Sequence, residues 1–171
     1  MAIRTILHYP DKRLREKGAR IETVTREIRA LIDDMAETMY AAPGVGLAAT
    51  QIGEVLQLFI VDVADAEEPS DLRVFINPEI LSREDAVTWQ EGCLSFPGVT
   101  EEVDRSAKVR VRAQDRDGKS FELEAEGLLA VAIQHEYDHL QGVLMIDHLG
   151  PLKKRLVHRK MQKRADERPS V

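Results

Sequence analysis

The stretch His135-Glu136-Tyr137-Asp138-His139 lies inside a run of apolar residues from Leu128 to Leu140. Residues four apart stand on the same face of an α-helix, so the two imidazoles could hold one metal ion. The Glu between them lies close enough to take a proton from water on that metal. A helix that is apolar on most sides is usually buried, and burying an unpaired charged group costs free energy unless it is paired or bound to a metal. The stretch therefore predicts a buried, metal-dependent hydrolytic helix that ends at Gly142.

The composition predicts one globular domain. The chain has 171 residues, of which 43% are hydrophobic, 32% charged and 5% aromatic. So few aromatic side chains argue against a base-stacking nucleic-acid module. The single cysteine excludes an intramolecular disulfide, and no apolar run is long enough to span a membrane. We expect a cytoplasmic protein in which residues 1–150 form the catalytic part and residues 151–171 a basic C-terminal helix of the same domain.

The hydrophobic pattern predicts an α+β fold, because runs of strands and helices are segregated along the chain. Antiparallel strands should pack around a central metal-binding helix, with a further helix at the C-terminus. Thr25 is the expected N-cap of the first helix, and residues 44–51 are expected to form a loop or an irregular edge. Strands are expected at 55–63, 73–77, 86–90, 109–114 and 121–125. Helices are expected between the cap at Thr25 and Pro43, at 128–140 and at 152–164.

A catalytic metal site needs a third protein ligand, and the spacing of the two helical histidines does not identify it. His8, His148 and His158 are candidates. Cys93 is another, in a turn between apolar segments, although a lone cysteine is more often a small buried hydrophobe. The pattern alone leaves these alternatives open.

Three blocks of sequence together resemble the peptide deformylases, which remove the formyl group from nascent polypeptides. The resemblance extends over nearly the whole chain, from Leu7 to Leu152, and three blocks in this order are far more specific than two spaced histidines. The blocks are Gly44-Val45-Gly46-Leu47-Ala48-Ala49-Thr50-Gln51, Glu91-Gly92-Cys93-Leu94-Ser95 and Gln134-His135-Glu136-Tyr137-Asp138-His139-Leu140.

The resemblance implies that Cys93, His135 and His139 bind the metal and that Glu136 carries the proton. A thiolate with two imidazoles suits Fe(II), Zn(II), Ni(II) or Co(II), and the family favours Fe(II). It also implies that the Gln51 side chain and the Leu94 backbone N–H stabilise the oxyanion. From the sequence alone, Gln51 would be an ordinary loop residue.

The resemblance further implies where the substrate binds. Gly46 should let the substrate backbone pass close to the loop and pair with it. An apolar pocket for the methionine side chain should be formed by Val45, Trp89, Leu128, Val131 and Ala132, although plain core packing would explain the same residues.

Two features depart from the common family pattern. Trp89 is larger than the aliphatic residue expected there, which predicts a narrower pocket. Residues 98–102 lack the basic residue that many relatives carry near the entrance. Neither departure affects a predicted metal ligand.

Three charged residues are candidates for orienting the ligands. Glu91 and Asp138 lie close in sequence to predicted ligands, and Arg105 is a nearby cation. We expect one acid to pair with Arg105 or to accept an imidazole N–H. The alternative is that all three are exposed surface charges.

The charge distribution sets the C-terminus apart. Eight Lys and Arg against two acids give residues 151–171 a charge of +6, so the rest of the chain carries −12. A basic helix could bring the enzyme to the phosphate-rich surface of the ribosome, where formyl-Met nascent peptides emerge. The alternative is a solvated helix that balances an acidic body.

Two other functions would use the same residues. A zincin-like endopeptidase shares the H-E-x-x-H pattern but usually takes its third ligand from downstream. A ribosome- or RNA-binding protein could carry a merely structural metal, although such sites usually have four protein ligands. The first would cleave internal peptide bonds, and the second would hydrolyse nothing.

Overall fold

The protein folds as one antiparallel sheet and three α-helices over the described residues, which are 2–65 and 67–167 of a computed structural model. The α+β prediction is confirmed. The strands are β1 (Gly46–Ala48), β2 (Leu58–Val61), β3 (Arg73–Gly92), β4 (Thr100–Gln114) and β5 (Ser120–Glu126), and the helices are α1 (Arg26–Ala41), α2 (Gly127–Leu140) and α3 (Pro151–Glu167).

The five strands follow one another across the sheet in chain order, and each pairs antiparallel with the next. Helix α2 packs against one face of the sheet, where Ile133 and Ala132 join a cluster with Phe59, Phe75 and Val111. The predicted hydrolytic helix is therefore central, with both of its histidines and its Glu buried.

Helix α2 ends as its sequence predicts. Gly142 has a left-handed backbone (φ 75°) and its N–H donates to His139 O. The next N–H, of Val143, donates to Asp138 O. This pair of bonds is a Schellman cap, and glycine is the residue that adopts its left-handed position without strain.

Strand β2 is buried on both faces, which explains its uninterrupted apolar sequence. Phe59 and Val61 face the cluster around α2. Leu58 and Ile60 face a second cluster with Met35 and Met39 of α1. Helix α1 begins where predicted, because the Thr25 side chain accepts the Ile28 N–H.

The prediction of separate strands at 73–77 and 86–90 was wrong, because one strand, β3, covers both. Its pairing with β4 is irregular near Asn77, whose φ of 52° is left-handed. The Asn77 side chain accepts a hydrogen bond from the Ile21 N–H and donates one to the Ile21 carbonyl oxygen. These two bonds hold the irregularity in place. The residues that follow in β3 are polar and mostly exposed, so the sequence there does not show the alternation of apolar and polar residues by which a strand is recognised.

Strand β4 is also longer than the predicted 109–114. Its inward positions include Val103 and Arg105, both buried. A buried arginine in an inward position breaks the alternation of apolar and polar residues by which strands are recognised. Residues 44–51, predicted as a loop or an irregular edge, include the short edge strand β1 and most of a 3-10 turn, Ala49–Ile52.

Helix α3 is longer than the predicted 152–164, and only part of its apolar sequence is buried. Val157 and Met161 are buried in a third cluster with Phe96 and Val99, whereas Leu152 and Leu156 are exposed. The basic residue Arg168 lies outside the described residues. Within the described residues, no helix combines the length and apolarity that crossing a bilayer requires. The division of the domain at residue 150 stays a prediction.

Candidate metal centre

Three side chains from two parts of the chain converge beside α2. His135 and His139 stand one turn apart on the helix, and Cys93 reaches them from the turn that follows β3. One ligand atom from each lies within 4.8 Å of the others, and Cys93 Sγ is 3.3 Å from His139 Nε2. Sulfur and nitrogen ligands of one tetrahedral metal ion stand about 3.5 Å apart, so this spacing fits a shared ion.

The orientation of His135 also fits a metal ligand. Its Nδ1 lies 2.9 Å from Glu91 Oε1, which leaves Nε2 for the cluster. Such a carboxylate behind a ligating histidine fixes the ring and its tautomer.

The local charge favours a cation at this point. Burial alone would lower the pKa of His135, but the negative charges of Cys93 and Glu136 raise it well above its usual value. Burial, and then the charge of His135, lower the pKa of His139 well below its usual value. His139 is thus neutral, the form that binds metal.

Glu136 differs from its acidic neighbours Glu91 and Asp138 because no hydrogen bond to a basic side chain offsets its burial among the described residues. Burial is the main cause that raises its pKa to about 7. Its Oε1 is buried without a hydrogen-bond partner among the described residues. A carboxyl group with a pKa close to neutrality can both accept and return a proton.

Gln51 is buried, and its side-chain amide is held at both ends. Its Oε1 accepts the Ala48 N–H at 2.9 Å, so its NH₂ group faces the centre. There Nε2 donates to Ser95 Oγ at 3.0 Å and lies 3.7 Å from Cys93 Sγ. Ser95, fully buried, was given no role from the sequence, where a serine after the Cys-Leu pair carries no signal of its own. The Leu94 N–H makes no hydrogen bond to any described residue.

Arg105 links the charges behind the ligands, which confirms the prediction for Glu91 and Arg105. Its Nε and one terminal nitrogen donate to both oxygens of Glu91, at 2.8 and 2.9 Å. Its other terminal nitrogen lies 2.7 Å from Asp138 Oδ2. Burial alone would raise the pKa of Glu91, but bonds from Arg105 and His135 lower it to about 2. His148 is not among the clustered ligand atoms but lies 2.8 Å from Asp138.

A cavity of about 730 Å³ opens beside these groups. Val131 and Ala132 form its buried wall, while Val45 and Leu128 are exposed at 45% and 37%. His8, one of the candidates for the third ligand, also lines it but is not among the clustered ligand atoms. All the predicted site residues except His139 line this cavity: Val45, Gly46, Gln51, Trp89, Cys93, Leu94, Leu128, Val131, Ala132, His135 and Glu136.

Comparison with known families gives one consistent result. The family model described as polypeptide deformylase matches residues 3–155. A peptide deformylase from Azotobacter vinelandii is 57% identical over 164 residues, which cover 95% of this chain and 96% of that protein.

Solved structures agree with this match. The crystal structure of a peptide deformylase from Legionella pneumophila has a TM-score of 0.90 and 46% identity, covering 98% of this chain and 100% of that one. A peptide deformylase from Ehrlichia chaffeensis in complex with actinonin has a TM-score of 0.92 and 35% identity, covering 99% and 100%.

Proposed function

The chain belongs to the polypeptide deformylase family, and from this premise we propose how its own residues carry out the reaction. It is a metal-dependent hydrolase that removes the N-formyl group from N-formylmethionyl nascent polypeptides and releases formate. The observation that carries the residue assignment is the meeting of Cys93, His135 and His139 beside a buried Glu136.

We assign Cys93, His135 and His139 as the metal ligands. Their convergent atoms and the carboxylate of Glu91 behind His135 support this assignment. These three residues would hold a divalent ion, which would supply a Lewis acid for activating water and polarising the formyl carbonyl.

Glu136 is the proton carrier. Its partnerless Oε1 accepts a proton from the attacking water, and the carboxyl group then delivers that proton to the departing amine. Water adds to the formyl carbon, the C–N bond breaks, and formate and a free α-amine are the products. The pKa of about 7 suits both transfers.

Gln51 and Leu94 stabilise the negative charge that develops on the formyl oxygen. The bond from Ala48 fixes the Gln51 amide with its donor side inward, so it need not reorient during the reaction. The unbonded N–H of Leu94 supplies a second donor.

The substrate lies along β1 with its methionine side chain in the cavity. Strand β1 is at the edge of the sheet, where an extended peptide can pair with Gly46. Val131 and Ala132 form the floor of the methionine pocket, and Val45, Trp89 and Leu128 form its walls.

Formate release from formyl-Met-Ala tests the reaction directly. Anaerobically purified protein should release formate in an amount equal to the free Met-Ala amine that appears. An unformylated peptide with internal bonds should remain intact under the same conditions. Cleavage of that peptide without formate release would indicate the zincin-like endopeptidase instead.

We propose Fe(II) as the native ion and the cytoplasm as the place of action. A thiolate beside Fe(II) persists only where oxidants are scarce, and the nascent substrate is made in the cytoplasm. Activity should decay in air with Fe(II) and persist with Ni(II), with metal content measured on each sample. Equal air stability of both forms would count against a ligand set in which the Cys93 thiolate lies beside Fe(II), and the metal content of the anaerobically purified protein tests Fe(II) as the native ion.

We also propose that α3 brings the enzyme to the ribosome. Arg155, Arg159 and Lys163 are exposed on it, whereas Lys160 is bound to Gly98 O. Replacing these three exposed residues with Glu should weaken salt-sensitive co-sedimentation with ribosomes. The same charge change at exposed Lys12, Lys17 and Arg20 is the control.

These substitutions test docking better than deletion of the helix, because deletion would also remove Val157 and Met161 from their buried cluster. Formate release from a small peptide should be unchanged in both triple variants. Equal sedimentation of both variants and the unmodified protein would end the docking proposal.

A further inference from the structure

Gly46 stands where a side chain would meet the carboxyl group of Glu136. A Cβ built on Gly46 would lie 2.5 Å from Glu136 Oε2 and 3.0 Å from both its Cγ and its Cδ. Real Cβ atoms essentially never approach a heavy atom as closely as the first of these distances. The space left by the missing side chain is therefore filled by Glu136 itself.

Strand β1 explains why this contact is so close. Alternate residues of a strand share one face, so Gly46 and Ala48 both face α2. Ala48 is fully buried in the cluster that includes Ile133 of that helix. A methyl group is thus accommodated two residues further along the same face, and at residue 46 only a hydrogen is accommodated.

Glu136 could avoid an added methyl group only by changing its side-chain conformation towards the cavity that it lines. It is buried on α2, and its Cγ as well as its terminal oxygen would meet the added methyl group. The carboxyl group could escape only by rotating the whole side chain. Such a rotation would change the position of Oε1, the oxygen without a partner among the described residues.

We propose that Gly46 is a positioning residue for Glu136, its missing side chain making the space in which the carboxyl group lies ready for proton transfer. This inference rests on the proposed role of Glu136. Two features then require residue 46 to lack a side chain: the position of the Glu136 carboxyl group and the close passage of the substrate backbone. The backbone of Gly46 has no left-handed φ, so alanine is excluded by space and not by conformation.

Gly46→Ala should lower kcat about 100-fold, because a displacement of about 1 Å has that effect on a reacting group. Metal content should stay near its normal value, because the ligands are untouched, while any obstruction of the substrate backbone should appear in KM and is separated from the effect on kcat by saturating substrate. Gly150→Ala is the matched control, since a Cβ there meets nothing within 4 Å. Metal-replete, folded Gly46→Ala with near-normal kcat would overturn the proposal.

A double-mutant cycle separates positioning from general damage. Glu136→Asp shortens the side chain by one methylene and withdraws it from residue 46. In that background Gly46→Ala should cost less than about threefold in kcat, because the two changes are coupled. An equal loss in both backgrounds would show that Gly46 acts on something other than Glu136.

Thermal stability provides a test that does not depend on catalysis. If Gly46→Ala is poorly folded, Gly46→Ala/Glu136→Ala should regain the Tm of Glu136→Ala, since the clash is gone. A double variant as unstable as Gly46→Ala would overturn the proposal. Normal turnover by Glu136→Gln would instead overturn the proposed role of Glu136, so the two failures are distinguishable.

Discussion

At the scale of the residue, two buried glutamates beside one metal centre have opposite protonation behaviour. Glu91 receives two bonds from Arg105 and one from His135, and its pKa is about 2. Glu136 receives none among the described residues, and its pKa is about 7. Environments that separate two pKa values in this way assign one group to structure and the other to proton transfer.

Glu136→Gln should lower kcat by a factor of roughly 10²–10⁴, the contribution typical of general acid–base catalysis. Glutamine keeps the size of the side chain and fits the space beside Gly46, but it cannot accept a proton. Metal content should be unchanged, and it should be measured on the sample used for kinetics. Near-normal turnover by the metal-replete variant would remove Glu136 from its role.

Gln51→Leu should lower kcat roughly 10²–10³-fold, as expected for loss of one oxyanion donor. The effect on KM should be smaller, because the hydrogen bond strengthens as the oxygen becomes negative. Steady-state kinetics with formyl-Met-Ala would separate the two constants. A change in KM alone would make Gln51 a ground-state binding residue.

Some of these residues could be predicted from spacing alone, some only from the family resemblance, and some contacts not at all. The helical spacing alone pointed to His135, Glu136 and His139, because the geometry of a helix is fixed. The assignment of Cys93 needed the resemblance, since no local rule brings a turn to a distant helix. Two contacts could not be inferred, because both depend on distances between separate elements. They are the hydrogen bond from Gln51 to Ser95 and the close approach of Gly46 to Glu136.

At the scale of the element, β4 carries one buried cation that connects β3 with α2. Arg105 points inward from β4, pairs with Glu91 at the end of β3 and lies 2.7 Å from Asp138 of α2. Both acids lie within two residues of a proposed metal ligand in sequence. The strand therefore fixes the two ligand-bearing elements relative to each other, and the same inward arginine kept the strand from being recognised in the sequence.

Arg105→Met should destabilise the fold by about 3–5 kcal/mol, because it leaves buried carboxylates without their partner. Metal affinity should fall about 10- to 100-fold, because Glu91 no longer holds His135 in place. Chemical denaturation and metal titration would measure the two effects. Lys108→Met is the control on the same strand, since its pair with Glu126 is exposed and worth at most about 1 kcal/mol. Equal effects of both substitutions would contradict an orienting role for Arg105.

At the scale of the whole molecule, the proposed centre lies where separately packed parts of the chain meet. Helix α2 belongs to the cluster on one face of the sheet, whereas Cys93 borders the cluster that includes α3. Leu94, the next residue, borders the cluster formed with α1. A metal bound by Cys93 and two histidines of α2 would therefore cross-link parts of the fold that are otherwise joined only by packing and hydrogen bonds.

Removal of the metal should lower the stability of the whole domain as well as abolish activity. An ion present at one hundred times its dissociation constant adds about 2.7 kcal/mol to the folded state. For a domain of this size that corresponds to a shift in Tm of roughly 5–10 °C. Calorimetry before and after chelation, and after reloading with Ni(II), would measure it.

Cys93→Ser provides the control for this prediction, because a hydroxyl is a poor ligand for the soft ions that a thiolate prefers. Its Tm should respond much less to chelation or reloading. The comparison also separates a loss of cross-linking from a general effect of the chelator. A Tm of the unmodified protein that does not change on chelation, while activity is lost, would mean that the ion serves chemistry without joining the parts of the fold.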